Sequence, residues 1–141
     1  GNGSNKNNLL NKVKSENLEK HLTFTGDVTN VKDYMDKCTI IVHTSIEPEP
    51  FGMVIIEAMA LEKPVIATNF GGPIEIIDNE IDGYLIPPSE PKILASHILK
   101  LVNNPELRKQ IGTEARKKVI EKFDFRITAK KIENVYEDIQ K

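Results

Sequence analysis

Two short apolar runs, CTIIVHTS (residues 38 to 45) and PVIATN (residues 64 to 69), constrain the fold more than anything else in the chain. Their cores, TIIV and VIA, do not alternate apolar with polar residues. Each therefore reads as a strand buried on both faces, the kind found in parallel sheets. Parallel neighbours need a crossover connection, and a helical pattern follows each run: MVIIEAMALE (53 to 62) after the first, and a short segment opening at Pro73 after the second. Two more strands are expected at HLTFTG (21 to 26) and GYLIPP (83 to 88), and helices within 5 to 17, at VKDYMDK (31 to 37), and through 91 to 102, 105 to 122 and 125 to 140. Strand and helix in alternation give an α/β class, a parallel sheet flanked by helices.

A length of 141 residues suits one domain with its own core. Nineteen basic against 21 acidic residues leave a net charge of −2, so no sequence-wide attraction to nucleic acid or an anionic membrane is expected. The basic residues between 108 and 131 are interleaved with acids and read as a solvated helix face. Cys38 is the only cysteine, which excludes an internal disulfide and suits a reducing cytoplasm. His21, His43 and His97 lack metal-ligand spacing, and there is no Asp-x-Asp pair, G-x-S-x-G elbow or phosphate-binding G-x-x-x-x-G-K-[ST] loop.

The stretch EPFGMVIIE (49 to 57) puts an acid, Glu57, inside an apolar helix pattern. A carboxylate there needs a partner, a route to water or a ligand, because burying it alone costs several kcal/mol. The loops IEPEPFG and NFGGP both follow a strand and precede a helix, so both are expected on the carboxyl edge of the sheet, with two helix tips facing one crevice. Helix tips carry unpaired N–H groups and the positive end of the dipole, and phosphate is their usual guest. With a diphosphate on the tip at Gly52, Glu57 would stand roughly 7 to 8 Å along the axis, placed for two ribose hydroxyls, and Glu49 would meet the group beyond the phosphates. Each residue also has a plainer reading. Glu57 suits a structural ion pair equally well, Glu49 an ordinary loop acid, Gly71 and Gly72 a tight turn, and Glu75 a helix start.

Taken together, EPFGMVIIEAMALEKPVIATNFGGPIEII and the following DGYLIPP resemble the C-terminal domain of retaining GT-B glycosyltransferases of family 4, also called glycosyl transferases group 1. The family's Glu-x7-Glu signature matches Glu49 and Glu57, with Phe51 and Gly52 as its F-G; Gly71, Gly72 and Glu75 match G-G-x-x-E, and Asp82 to Pro88 match D-G-x-L-x-P-P. GNGS at residue 1 and FTGDV near residue 26 fall in the family's order. Thr44 stands where a proline is common.

The resemblance implies a Rossmann-like sheet, the C-terminal half of a GT-B fold lacking its first strands, with residues 124 to 141 forming a helix that packs back on an N-terminal domain outside this chain. It implies that Glu57 holds the ribose of a UDP-, GDP- or ADP-linked sugar and that Glu49 acts at the sugar as the catalytic-side acid. Backbone N–H groups of Phe51, Gly52, Met53 and Val54 would bind sugar hydroxyls and diphosphate, while Gly1, Gly3, Val28 and Asn30 border the base. It further implies a metal-free, retaining transfer to a glycan or lipid-linked saccharide for polysaccharide, capsule or lipopolysaccharide synthesis, by a cytoplasmic enzyme peripheral at the inner membrane. The chain alone is expected to be inactive. A non-catalytic nucleotide-sugar-binding subunit of a split transferase is the other reading, and a GT-B-shaped epimerase a third.

Overall fold

The computed structural model describes residues 3 to 139 and divides into two compact units, Gly1–Asp33 and Tyr34–Lys141. In the second unit the sheet has three strands, with β2 (Val65–Thr68) between β1 (Ile41–His43) and β3 (Tyr84–Ile86), both pairings parallel. All four residues of β2 are buried, as a central strand without polar alternation requires. Its side chains divide between two cores, Val65 and Ala67 on one face and Ile66 on the other.

The first face is covered by α3 (Met53–Ala60), which contributes Ile55, Ile56, Ala58 and Met59, joined by Met35 of α2 (Val31–Lys37) and Ile76 of α4 (Pro73–Ile76). On the second face, α5 (Pro91–Val102) packs Leu94, Ile98 and Leu101 against Ile66, Tyr84 and Ile86. The following helix α6 (Pro105–Lys118) serves both, with Ile111 in the second core and Ala115 in the first. Gly112 lets α6 come close to the end of α3, since a Cβ there would sit 2.2 Å from the Glu62 carbonyl oxygen.

The helix expected over 105 to 122 ends in a π turn, Val119–Phe123, that sends Val119 and Phe123 to the first core. Asp124 then breaks the helix and caps α7 (Phe125–Ile139) by accepting from the Arg126 N–H at 2.9 Å. Helix α7 buries none of its described residues and carries an apolar stripe of Ile132, Val135, Tyr136 and Ile139. Among the described residues no helix is long and apolar enough to cross a membrane.

The basic segment departs from a uniformly solvated face. Lys118 is buried and bridges Asp78 and Asp82 at 2.9 Å each, and Arg108 donates to the Leu101 and Val102 carbonyls at the end of α5. Two acids sharing one ammonium divide by environment. The Lys118 hydrogen bond holds Asp78 below the usual carboxylate range, whereas burial pushes Asp82 up.

In the first unit, α1 (Lys6–Ser15) is followed by a segment without regular secondary structure where a strand is expected at 21 to 26. That segment makes no ladder with any strand among the described residues. The period-two placement of Leu22 and Phe24 has a local cause instead: both line an apolar recess with Leu9, Val13 and Leu18.

Candidate active site on the carboxyl edge

Because all three strands run the same way, the loops after β1 and β2 emerge on one edge. They are joined through their main chains. Glu49 pairs with Gly71 as a parallel bridge, its N–H donating to the Phe70 carbonyl at 3.3 Å and its carbonyl accepting from the Gly72 N–H at 2.7 Å. Neither glycine tolerates a side chain: a Cβ at Gly71, where φ is +81°, would lie 2.4 Å from the Glu49 oxygen, and one at Gly72 would lie 2.0 Å from the Phe51 oxygen. The sequence pointed to a tight turn or to close approach by a ligand. The structure gives these glycines a third task, seating one loop flush on the other.

Gly52, in the left-handed region at φ +105°, turns the chain into α3 with no side-chain cap. The N–H groups of Phe51, Gly52, Met53 and Val54 meet no acceptor among the described residues, while those of Ile55 and Ile56 reach the Gly52 carbonyl. A row of unpaired donors at a helix start attracts anions. The second expected tip contributes less, because α4 is a single turn of four residues and sums few peptide dipoles. The Phe51 ring packs edge-on to Phe123, with centroids 6.3 Å apart, tying the loop to the π turn.

Glu57 lies five residues beyond Gly52 on α3 and is exposed. No side-chain hydrogen bond or ion pair involves it, so the structural-pair alternative finds no partner among the described residues. Met53, one turn earlier on the same face, is also exposed, so this pair forms the outer stripe of an otherwise buried helix. Glu75 lies in the first turn of α4, in agreement with a helix-start role.

Glu49 is half-buried, and its carboxylate faces a residue that the motif spacing gave no reason to single out. His43 Nε2 stands 3.6 Å from Glu49 Oε2, and the His43 Nδ1 is buried without a hydrogen-bond partner. The available signal was position: His43 ends β1, six residues before Glu49, on the same face as Ile41. Also unforeseen is an apolar recess lined by Thr44, Ile46, Thr68, Ile86, Pro87 and Leu94 at the same strand ends.

The residues expected around a base belong to the first unit. Asn30 donates to Asp33 at 2.5 Å at the start of α2, Gly3 accepts from the Lys6 N–H at 3.1 Å, and Val28 is half-buried. Gly1 lies outside the described residues.

The family model for glycosyl transferases group 1 matches residues 1–118. Among curated relatives, an uncharacterized glycosyltransferase of Methanocaldococcus jannaschii is 38% identical over 133 residues, covering 93% of this chain and 37% of the relative. The poly(ribitol-phosphate) alpha-N-acetylglucosaminyltransferase of Staphylococcus aureus is 32% identical over 137 residues, covering 96% of this chain and 28% of the relative. The chain thus spans about a third of the length of the curated relatives it matches. Among solved structures, Anabaena HepE in complex with UDP-glucose superimposes with a TM-score of 0.89 at 29% identity, covering 98% of this chain and 38% of that one. The same protein in complex with UDP gives 0.90 over 94% and 36%.

Proposed function

Since the chain belongs to the glycosyl transferases group 1 family, we propose that it forms the nucleotide-sugar side of a longer GT-B enzyme, with the donor's diphosphate on the tip of α3. The observation that carries this reading is the unpaired row of N–H groups from Phe51 to Val54, with exposed, unpartnered Glu57 farther along the same helix. The donors bind the diphosphate as a helix tip binds any phosphate. Glu57, about 7 to 8 Å behind, accepts from the ribose hydroxyls, and a charged acceptor makes those bonds stronger than a neutral one would. Glu49 meets the sugar. The complexes of the Anabaena neighbour with UDP and UDP-glucose support a donor of this chemical class.

The finer reading rests on the family-4 resemblance: transfer with retention, without a metal, to a glycan or lipid-linked saccharide in polysaccharide or glycoconjugate synthesis at the inner face of a membrane. In that resemblance Gly1, Gly3, Val28 and Asn30 are the positions that would border the base. The transferring enzyme needs an N-terminal domain to supply acceptor contacts and further cations for the diphosphate, since positioned charge is a major catalytic term.

Calorimetric titration of the 141-residue chain with UDP, GDP and ADP, repeated with the 2′-deoxy form of whichever binds best, tests the reading. Glu57→Ala should weaken the ribonucleotide about tenfold, in line with a hydrogen bond to a charged group. The 2′-deoxynucleotide should lose affinity for the native chain and lose little more in the variant. Equal affinity of Glu57→Ala and the native chain for the ribonucleotide rejects the assignment.

A further inference from the structure

Glu49 has a fixed main chain and a sparsely attended carboxylate. The bonds to Phe70 and Gly72 hold its backbone, but the only charged or ring nitrogen within 4.0 Å of its carboxylate oxygens among the described residues is His43 Nε2 at 3.6 Å. That separation is just beyond hydrogen-bond length, and a small rotation of the glutamate side chain closes it. His43 has less freedom, because it ends β1 and its side chain is only 17% exposed.

The buried, unpartnered Nδ1 of His43 decides where the ring proton sits. An orphaned buried N–H is rarer in folded proteins than an under-used acceptor. The neutral ring therefore leaves Nδ1 bare and carries its hydrogen on Nε2, the nitrogen that faces Glu49. A carboxylate offers about four lone-pair sites, so one donation from His43 directs it and leaves the rest open.

We propose that His43 is a positioning residue: its Nε2–H aims the Glu49 carboxylate so that the remaining lone pairs accept from vicinal hydroxyls of the sugar on a nucleoside diphosphate. This rests on the donor-site reading and adds to it the residue that sets sugar recognition apart from nucleotide recognition. His43 does not touch the sugar and acts only through Glu49.

The test uses the 141-residue chain with UDP and UDP-glucose as probes, comparing the ratio of their dissociation constants across variants. His43→Leu should shift the ratio about tenfold against UDP-glucose, the loss expected for one misdirected charged hydrogen-bond partner. His43→Gln, which keeps a donor, should recover most of it. Glu49→Gln should shift the ratio similarly, and the double variant no further than either alone, because two members of one unit are not additive. A ratio unmoved by His43→Leu or by Glu49→Gln overturns the proposal, as does a double variant equal to the sum of its parts. Independently of any ligand, the imidazole 15N spectrum of the native chain should show a protonated Nε2 and a bare Nδ1. The opposite tautomer overturns the proposal even where the variants fold poorly. If neither UDP nor UDP-glucose binds the native chain, the donor-site reading falls first and this inference falls with it.

Discussion

Lys118 and Glu57 show how differently one chain treats two charges. Lys118 is buried between Asp78 and Asp82, so removing the ammonium leaves Asp82, itself buried, without its cation. Lys118→Met should destabilise the fold by about 3 kcal/mol at pH 7, the usual scale for breaking a buried pair. The sign of its pH dependence comes from Asp82, whose carboxyl is already pushed up by burial. Without the lysine, which draws it down, that carboxyl rises further and its protonation relieves the remaining cost, so the penalty should shrink as the pH falls. Urea unfolding of both proteins at pH 7 and at mildly acid pH checks this, and a penalty that grows on acidification contradicts it. The spacing that sets Glu49 in a loop and Glu57 on the following helix was legible, but the buried lysine was not. Nothing in RKKVIEKF distinguishes Lys118 from Lys117 until the turn at 78 to 82 is folded against it. Glu57 takes the route to water that the sequence allowed, and Met53 shares its exposed stripe.

At the scale of elements, close approaches and caps do most of the positioning. Gly112→Ala would push a methyl to 2.2 Å from the Glu62 carbonyl and part α6 from the end of α3, so a loss of about 2 kcal/mol is expected on thermal unfolding. A variant as stable as the native chain would mean that the backbone yields without cost. The start of α7 makes a separate prediction. The Arg126 side chain, helped by the Arg126 N–H, holds Asp124 down to about 2. A lowered carboxyl contributes stability that is present above its unfolded value of 3.8 and is lost as the pH falls through about 2. Amide protection in the first turn of α7, measured against the intrinsic exchange rate at each pH, should therefore fall across that window in the native chain, and Asp124→Ala should be poorly protected throughout. The helices were readable because caps, prolines and period marked them, and VKDYMDK at 31 to 37 is a helix from end to end. HLTFTG misled because alternation records only that one side is apolar. It does not record whether another strand or a helix lies beneath.

As a whole, the chain is about a third of its relatives' length, and the proposed enzyme needs the remainder. The purified chain should bind nucleotide sugar and transfer nothing; sugar transfer to an added acceptor would contradict that. Ile132 and Ile139 lie on the exposed stripe of α7, which we expect to meet the N-terminal domain. Ile132→Asp with Ile139→Asp should leave the melting point of this chain within about 2 °C, since exposed positions cost little, yet lower transfer in the longer enzyme. Full activity there would reject that contact. The α/β class and the gathering of two loops on the carboxyl edge of the sheet were legible from strand, loop and helix order. The approach of Glu49 to His43 was not, because five residues of loop separate them and contacts distant in sequence, from Thr68 to Ser45 and from Phe70 and Gly72 to Glu49, fold that loop back. The π turn at Val119–Phe123 has a further consequence, one of phase. It holds more residues than an α turn, and each residue removed or added rotates the downstream helix by about 100°. A one-residue deletion there would let the helix close in ordinary register and swing Phe123 off Phe51. Point substitutions at exposed Ile120 should pass easily, but the residue count of this turn sets the side on which Phe123 leaves it.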